Sequence, residues 1–133
     1  MFLIDTDIII YSLKGVESVV EQFRQHADAP KAISIITYAE LVYGANKSEQ
    51  VTNNLAKVHR LKEIFPLIEL SSAVMDCYGA TKAQLSKQGI TVDDFDLLIG
   101  ATALTYGYTL VTNNEKHFSK IPNLDLVNWN RLS

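Results

Sequence analysis

The segment Met1–Asp7, MFLIDTD, decides the predicted fold. Its apolar run from Met1 to Ile4 is typical of a strand buried on both faces of a parallel sheet, and two carboxylates, Asp5 and Asp7, follow it closely. In open α/β sheets, ligands bind beyond the carboxyl ends of the strands. We therefore expect Asp5 to face a functional site whose other residues come from later in the chain.

The rest of the chain alternates short apolar runs with helical patterns. Further strands are predicted at 32–35, 67–70 and 108–112, with a last edge strand at 124–127. Helices are predicted at 7–14, 16–26, 36–44, 48–65, 71–88 and 94–106, with a helical turn at 115–118. This alternation predicts an α/β fold: a single domain, residues 1–133, with a short, mainly parallel central sheet sandwiched by helices.

Composition restricts the class of protein. The chain has 133 residues, of which 47% are hydrophobic and 20% charged, as is ordinary for one compact domain. Its net charge of −3 provides no overall basic field for duplex DNA. A local basic rim can nevertheless hold RNA around an acidic centre, provided that metal ions neutralise the centre.

Several other kinds of chemistry find little support. Cys77 is the single cysteine, which excludes an internal disulfide, and the three histidines lack zinc-binding spacing. There is no glycine-rich phosphate loop. Neither a signal peptide nor a run near the roughly 20 apolar residues of a membrane span is evident. We therefore expect a soluble, cytoplasmic protein without a membrane partner.

Four polar residues lie where predicted buried elements begin or end: Asp5, Glu40, Asp96 and Asn114. With right-handed crossovers, such positions converge on one edge of the sheet. Converging carboxylates raise one another's pKa unless a cation lies between them. Carboxylate oxygens completed by water are ligands that Mg²⁺ or Mn²⁺ accepts.

The acids near the first two strands also have simpler explanations. Asp5 could be a solvated acid at a strand end, although its position between two apolar runs favours a functional role. Asp7 is a natural N-cap, so capping or hydrogen bonding beside the site is expected rather than ligation. Glu40 follows Ala39 in an apolar helix, where a buried charge is costly, but it could also face solvent.

The later polar residues raise the same question. Asp93, Asp94 and Asp96 all begin a helix, where negative charge is favourable on dipole grounds alone. We expect Asp94 to be the N-cap, which leaves Asp96 for chemistry. Thr112 and Asn114 could be ordinary turn residues.

Four motifs follow one another along the chain: 3–11 (LIDTDIIIY), 34–44 (SIITYAELVYG), 95–101 (FDLLIGA) and 110–114 (LVTNN) with Phe118. In this order they resemble the successive signatures of PIN-domain ribonucleases, most closely the VapC toxins of prokaryotic toxin–antitoxin pairs. The resemblance extends nearly end to end and includes 126–129 (LVNW).

This resemblance implies a PIN-like fold and a Mg²⁺- or Mn²⁺-dependent endoribonuclease, usually dimeric, that a VapB-type antitoxin holds inactive. Asp5, Glu40 and Asp96 match the family's acidic positions, with Asp5 and Asp96 as metal ligands. Asn114 stands at a fourth position that is often aspartate, so a second metal site is in doubt. The resemblance names neither the RNA that is cut nor the residues that bind it.

Two other functions compete with this interpretation. The Asp5-Thr6-Asp7 sequence also resembles the start of haloacid-dehalogenase-like phosphatases, in which the first aspartate is a nucleophile. Alternatively, Asn114 could indicate a PIN-like module that binds RNA or protein without cutting. Several basic residues could line an RNA groove, although a solvated surface explains each of them better: Lys47, Arg60, Lys87, Lys116 and Lys120.

Overall fold

The sheet forms around the apolar strand at the start of the chain. The computed structural model describes residues 1–131; residues 132–133, the last of the predicted domain, lie outside this range. The elements in chain order are β1 (Phe2–Ile4), α1 (Thr6–Leu13), α2 (Glu17–Gln25), β2 (Lys31–Ser34), α3 (Ile35–Lys47), α4 (Val51–Ile64), β3 (Leu67–Ile68), α5 (Ser72–Lys87), α6 (Asp94–Tyr106), β4 (Thr109–Val111), α7 (Glu115–Phe118) and β5 (Leu126–Val127).

The strands form a five-stranded sheet in the order β3-β2-β1-β4-β5, which makes β1 the central strand. Every neighbouring pair is parallel, and Phe2 lies in register with Lys31 on one side and with Thr109 on the other. Because all strands run the same way, their carboxyl ends lie at one edge. The predicted α/β fold with a parallel central sheet sandwiched by helices is confirmed.

Each face of the sheet has its own apolar core. Successive residues of β1 point to opposite faces, so Ile4 packs mainly with residues of α1 to α4, whereas Leu3 packs mainly with residues of α5 to α7. Gly100 lets α6 pack closely against Ile121, since a Cβ at position 100 would lie 2.6 Å from Ile121 Cδ1. Helix α6 therefore packs tightly against the segment that follows α7.

Trp129 closes the Ile4 side of the molecule. Its ring is 1% exposed and stacks on His26 with a centroid separation of 4.9 Å. The rings of Phe2 and Phe23 meet it edge-on at 5.2 and 5.0 Å. These contacts anchor the segment that follows β5 against β1 and α2.

Several predicted boundaries differ from the observed ones. The strand predicted at 67–70 ends at Ile68, because its partner strand β2 ends at Ser34, which caps α3. Helix α3 passes through Gly44, predicted to lie near its end, and continues to Lys47. A helical glycine costs only about 1 kcal/mol, and Ala45 gains a buried position beyond it.

Two predictions about α4 were wrong. The helix begins at Val51 rather than near Ser48, whose backbone N–H instead caps the end of α3. The apolar spacing of this helix predicts Ile64 on the same buried face as Val58 and Leu61, but Ile64 is 60% exposed, while Phe65 is buried. The chain leaves the helix at Phe65, which turns that side chain into the core. No helix within residues 1–131 is long and apolar enough to cross a membrane.

Candidate metal-dependent active site

An acidic cleft lies at the carboxyl ends of β1 and β4, next to the N-terminus of α6. Its volume is about 360 Å³. It is lined by Asp5, Thr6, Asp7, Ile10, Glu40, Asp96, Asn113 and Asn114. The five predicted site residues Asp5, Asp7, Glu40, Asp96 and Asn114 are therefore brought together. Thr112 lies fully buried beneath the cleft.

Asp5 is the N-cap of α1, so the prediction that Asp7 caps this helix was wrong, whereas the hydrogen bonding expected of Asp7 beside the site is observed. The backbone N–H of Thr6 donates to Asp5 Oδ1 at 2.8 Å, and Thr112 Oγ1 donates to Oδ2 at 2.7 Å. The side chain is only 6% exposed. Burial, followed by the nearby charge of Asp7, raises the pKa of Asp5 to about 7, against the lowering effect of both hydrogen bonds.

Asp7 lies in the first turn of α1 and is held by the loop after β4. The backbone N–H of Asn113 donates to Asp7 Oδ2 at 3.1 Å. Its other oxygen, Oδ1, is buried and has no hydrogen-bond partner among the described residues. Burial raises the pKa of Asp7, while backbone N–H groups, including that of Asn113, oppose the rise. An unpartnered buried carboxylate oxygen is costly, so this atom is suited to a cation or an ordered water.

Glu40 reaches the cleft from α3 and is half-buried. Thr6 Oγ1 donates to Glu40 Oε1 at 2.6 Å and lies 3.2 Å from Thr37 Oγ1. Thr6 thus links α1 to α3 and fixes the Glu40 carboxylate. Sequence reasoning missed this role, although the position of Thr6 between Asp5 and Asp7 was a usable signal.

Three acids at the start of α6 have three different surroundings. Asp93 is the N-cap, with Oδ2 accepting from Phe95 N at 3.1 Å, so the prediction that Asp94 caps the helix was wrong. Asp94 instead lies outside the cleft, where it accepts hydrogen bonds from Lys82 and Tyr78, each at 2.8 Å. Asp96 is the member of this group that lines the cleft, as predicted.

Asp96 is less buried than Asp5, but its pKa is also raised. Burial is the main cause that raises its pKa, and the charges of Asp93 and Glu40 add to the rise. His117 opposes it, with Nδ1 3.7 Å from Asp96 Oδ2. Acids with raised pKa values that share one cleft are typical of functional sites.

The loop after β4 is fixed by three asparagines, which we call the asparagine clamp: Asn113, Asn128 and Asn130. The side-chain amides of Asn128 and Asn130 both donate to Asn113 Oδ1, each at 3.2 Å. Because Trp129 between them is buried, the clamp ties this loop to the anchored segment after β5. Sequence reasoning missed the clamp, since its members are ordinary polar residues that only the fold brings together.

Asn114, the neutral residue at the fourth position, has its own contacts. Its backbone N–H donates to Thr112 Oγ1 at 2.9 Å, and its side-chain Nδ2 lies 2.9 Å from His117 Nδ1. Thr112 therefore connects Asn114 to Asp5 through one hydroxyl group. Of the two supporting residues predicted after β4, Thr112 bonds to the buried acid directly and Asn114 reaches it through Thr112.

The side chains in the cleft fit a hard divalent cation. Four carboxylates line the cleft, and none of the lining residues is lysine or arginine. Among residues 1–131, no three His, Cys, Asp or Glu side chains are arranged to hold an ion together. Mg²⁺ is commonly held by one or two carboxylates and several waters, so it needs no such cage. The unpartnered Asp7 Oδ1 and the raised pKa values of the acids indicate charge that lacks a counterion.

Comparison with known proteins identifies the family of the chain. The family model described as PIN domain matches residues 2–124. Ribonuclease VapC2 of Rickettsia felis is 35% identical over 98% of this chain and 99% of its own length. The tRNA(fMet)-specific endonuclease VapC of Shigella flexneri is 30% identical over 96% of this chain and 97% of its own length.

Solved structures show the same relationship. VapBC2 from Rickettsia felis, bound to a promoter DNA fragment, contains a chain that is 35% identical, with a TM-score of 0.89 and coverage of 96% of this chain and 98% of that one. DNA-bound VapBC from Salmonella typhimurium gives the same TM-score at 31% identity, with coverage of 96% and 97%. The chain therefore belongs to the PIN-domain family and, within that family, to the VapC ribonucleases.

Proposed function

We propose that this protein is a Mg²⁺- or Mn²⁺-dependent endoribonuclease toxin that hydrolyses phosphodiester bonds in structured RNA, such as transfer or ribosomal RNA. The observation that carries the proposal is the acidic cleft, where Asp5, Glu40 and Asp96 meet at the carboxyl end of the central strand. A relative named as a tRNA(fMet)-specific endonuclease supports RNA as the substrate class.

Each residue of the cleft has a separate role in this proposal. Asp5 and Asp96 would hold the ion, which when bound polarises the scissile phosphate and lowers the pKa of water. Glu40, fixed by Thr6, orients the attacking water and can accept its proton. Asn114 offers a neutral hydrogen bond where a fourth carboxylate would add negative charge. Thr112 and Asp7 keep Asp5 and the following loop in place.

We also propose a VapB-type antitoxin as the protein partner, and a homodimer as the assembly. The support for the antitoxin is that the similar solved structures from Rickettsia felis and Salmonella typhimurium are VapBC structures. The homodimer is what the resemblance to VapC toxins implies. A partner that covered the cleft or neutralised its acids would stop access of RNA. Co-expression with the product of a neighbouring small reading frame, followed by size-exclusion chromatography, tests both expectations.

Cleavage of transfer RNA by the purified protein tests the enzymatic proposal. We expect discrete fragments with Mg²⁺ or Mn²⁺ and none with a chelator. The variant Asp5→Asn should lose cleavage, whereas Asp28→Asn, an exposed acid outside the cleft, should retain it. Equal cleavage by Asp5→Asn and the wild type would contradict the assignment and indicate a contaminating nuclease.

The same assay separates the competing functions. Unchanged RNA after prolonged incubation with Mn²⁺, together with retained RNA binding, would favour a PIN-like module that does not cut. Membership of the PIN-domain family leaves the haloacid-dehalogenase-like phosphatase without support. Hydrolysis of p-nitrophenyl phosphate that depends on Asp5 would instead support the phosphatase.

A further inference from the structure

We propose that a second, smaller pocket beside the acidic cleft binds a phosphate of the RNA strand that neighbours the scissile phosphate. We call it the flanking pocket; it is lined by Thr91, Val92, Asp93, His117 and Lys120. The proposal rests on the proposed ribonuclease function, because it names a contact for the same substrate. It assigns to His117 and Lys120 a binding role that the acids of the cleft cannot supply.

The flanking pocket adjoins the cleft directly. His117 lines the flanking pocket, and its Nδ1 lies 2.9 Å from Asn114 Nδ2 and 3.7 Å from Asp96 Oδ2. Both Asn114 and Asp96 line the cleft. One imidazole ring therefore separates the two spaces, so a strand whose phosphate lies in the cleft can place an adjacent phosphate in the flanking pocket.

The charge distribution favours a second contact of this kind. RNA is a polyanion, yet the lining of the cleft contains four carboxylates and no lysine or arginine. Two other basic side chains of this region already have acidic partners, since Lys82 pairs with Asp94 and Arg131 pairs with Glu115. Lys120 forms no salt bridge with any residue in 1–131, so its charge is available to a phosphate.

His117 adds a directed donor to this charge. Its Nδ1 faces the side-chain amide of Asn114, with Nδ2 at 2.9 Å, so this ring nitrogen is already engaged within the site. Its other ring nitrogen, Nε2, has no hydrogen-bond partner within residues 1–131 and can donate to a phosphate oxygen. The Asp93 carboxylate also lines the pocket, but its Oδ2 already accepts from Phe95 N at the start of α6.

The size of the flanking pocket limits what it can hold. Its volume is about 130 Å³, below the roughly 300–1,000 Å³ typical of pockets for small molecules. A phosphate group fits such a space better than a base or a whole nucleotide. The pocket should therefore contribute to affinity without selecting a sequence.

The test measures RNA binding as a function of salt. Fluorescence anisotropy with labelled transfer RNA compares the wild type with Lys120→Gln, Lys120→Arg and Lys116→Gln, all in an Asp96→Asn background with Mg²⁺. Lys116 is a matched control because it is also exposed and lies four residues earlier, outside the lining of either space. Thermal unfolding checks that each variant is folded.

We expect Lys120→Gln to weaken binding several-fold and to reduce the slope of log affinity against log salt by about 0.7–0.9, the value for one lost phosphate contact. Lys120→Arg should restore both quantities, and Lys116→Gln should leave the slope nearly unchanged. In the cleaving protein, Lys120→Gln should raise KM several-fold with kcat within about twofold.

Equal slopes and affinities for Lys120→Gln and Lys116→Gln would overturn the flanking pocket as a phosphate site. If the wild type cleaves RNA in that case, the proposed function stands and only the pocket is wrong. If the wild type does not cleave but the difference in slope persists, the pocket stands and the ribonuclease assignment is wrong.

Discussion

Asp94 and Asp96 begin the same helix but have opposite electrostatic environments. Asp94 lies on the outer side, where hydrogen bonds from Lys82 and then Tyr78 hold its pKa below the ordinary value. Asp96 lies on the cleft side, where burial and neighbouring carboxylates raise its pKa. Helix position and residue type are nearly the same for both. The two acids therefore differ in whether a cationic side chain pairs with them. Asp94 has such a partner and is structural, whereas Asp96 is placed to bind a ligand.

The largest expected effect is on catalysis. Asp96→Asn should reduce RNA cleavage on the order of 1,000-fold, because a neutral amide binds a divalent ion weakly and gives no compensating charge. Asp94→Asn removes the same charge from the outer side and should leave cleavage within about twofold. Single-turnover kinetics with saturating Mg²⁺ measures both. Similar losses in the two variants would show that the difference between the acids has no functional meaning.

The pH dependence of stability that Asp5 in the cleft causes should have the opposite sign to that caused by Asp94 on the outer side. Burial raises the pKa of Asp5 to about 7 in the folded state, above its ordinary value of 3.8, so the folded state binds more protons between about pH 4 and 7. The free energy of unfolding should therefore fall as pH rises through this window, with Asp5 contributing roughly 2–4 kcal/mol. Asp94, with a lowered pKa, contributes stability above its unfolded pKa that is lost as pH falls.

Urea unfolding in chelator at pH 5 and pH 8 measures this dependence. Compared with the wild type, Asp5→Asn should be less sensitive to the change and more stable at pH 8. The free energy of unfolding of the wild type is compared with that of Asp5→Asn at both pH values. If the wild type gains stability relative to the variant from pH 5 to pH 8, the raised pKa of Asp5 is contradicted.

Adding the cation should reverse the cost of the crowded acids. At a Mg²⁺ concentration of about 100 times its Kd, the wild type should gain about 2.7 kcal/mol of stability by mass action. Differential scanning fluorimetry at constant ionic strength should show a raised Tm for the wild type and a much smaller shift for Asp5→Asn. Equal shifts in both would indicate a general salt effect.

The smallest expected effect concerns the asparagine clamp. Asn128→Ala removes one of two amides that hold Asn113 and should lower kcat by about 10-fold with little change in Tm, as for other residues that orient ligands from behind. Asn46→Ala is the control, because that amide donates only to the exposed Val42 carbonyl of its own helix. An unchanged kcat in Asn128→Ala would show that the loop keeps its position without the clamp.

The sequence was sufficient for the periodic part of the fold and for the acids at element ends. Apolar runs separated by helical patterns predicted the parallel sheet, and Asp5, Glu40 and Asp96 were expected at one edge. The sequence did not determine which residue is the N-cap of each helix. Asp93 and Asp94 have the same side chain, and only the φ and ψ values at the helix start decide which one caps.

Contacts between distant residues were equally hidden. Thr6 fixes Glu40 and Asn113 fixes Asp7 through single hydrogen bonds across the sheet edge. No periodic pattern marks such residues, because one polar side chain in a turn looks like any other. Strand ends were also missed where a partner strand, and not local propensity, stops the pairing, as at Ile68.

The pairing of β1 has a consequence for synthesis of the chain. Asp5 and its hydrogen-bond partner Thr112 are separated by 107 positions, and β1 completes its pairing only when β4 joins it. Contacts so distant in sequence form late in folding. A ribosome-bound chain that has not yet reached Thr112 therefore holds Asp5 without its buried partner. Nuclease activity should consequently arise only after Thr112 has emerged from the ribosome and β4 has paired with β1.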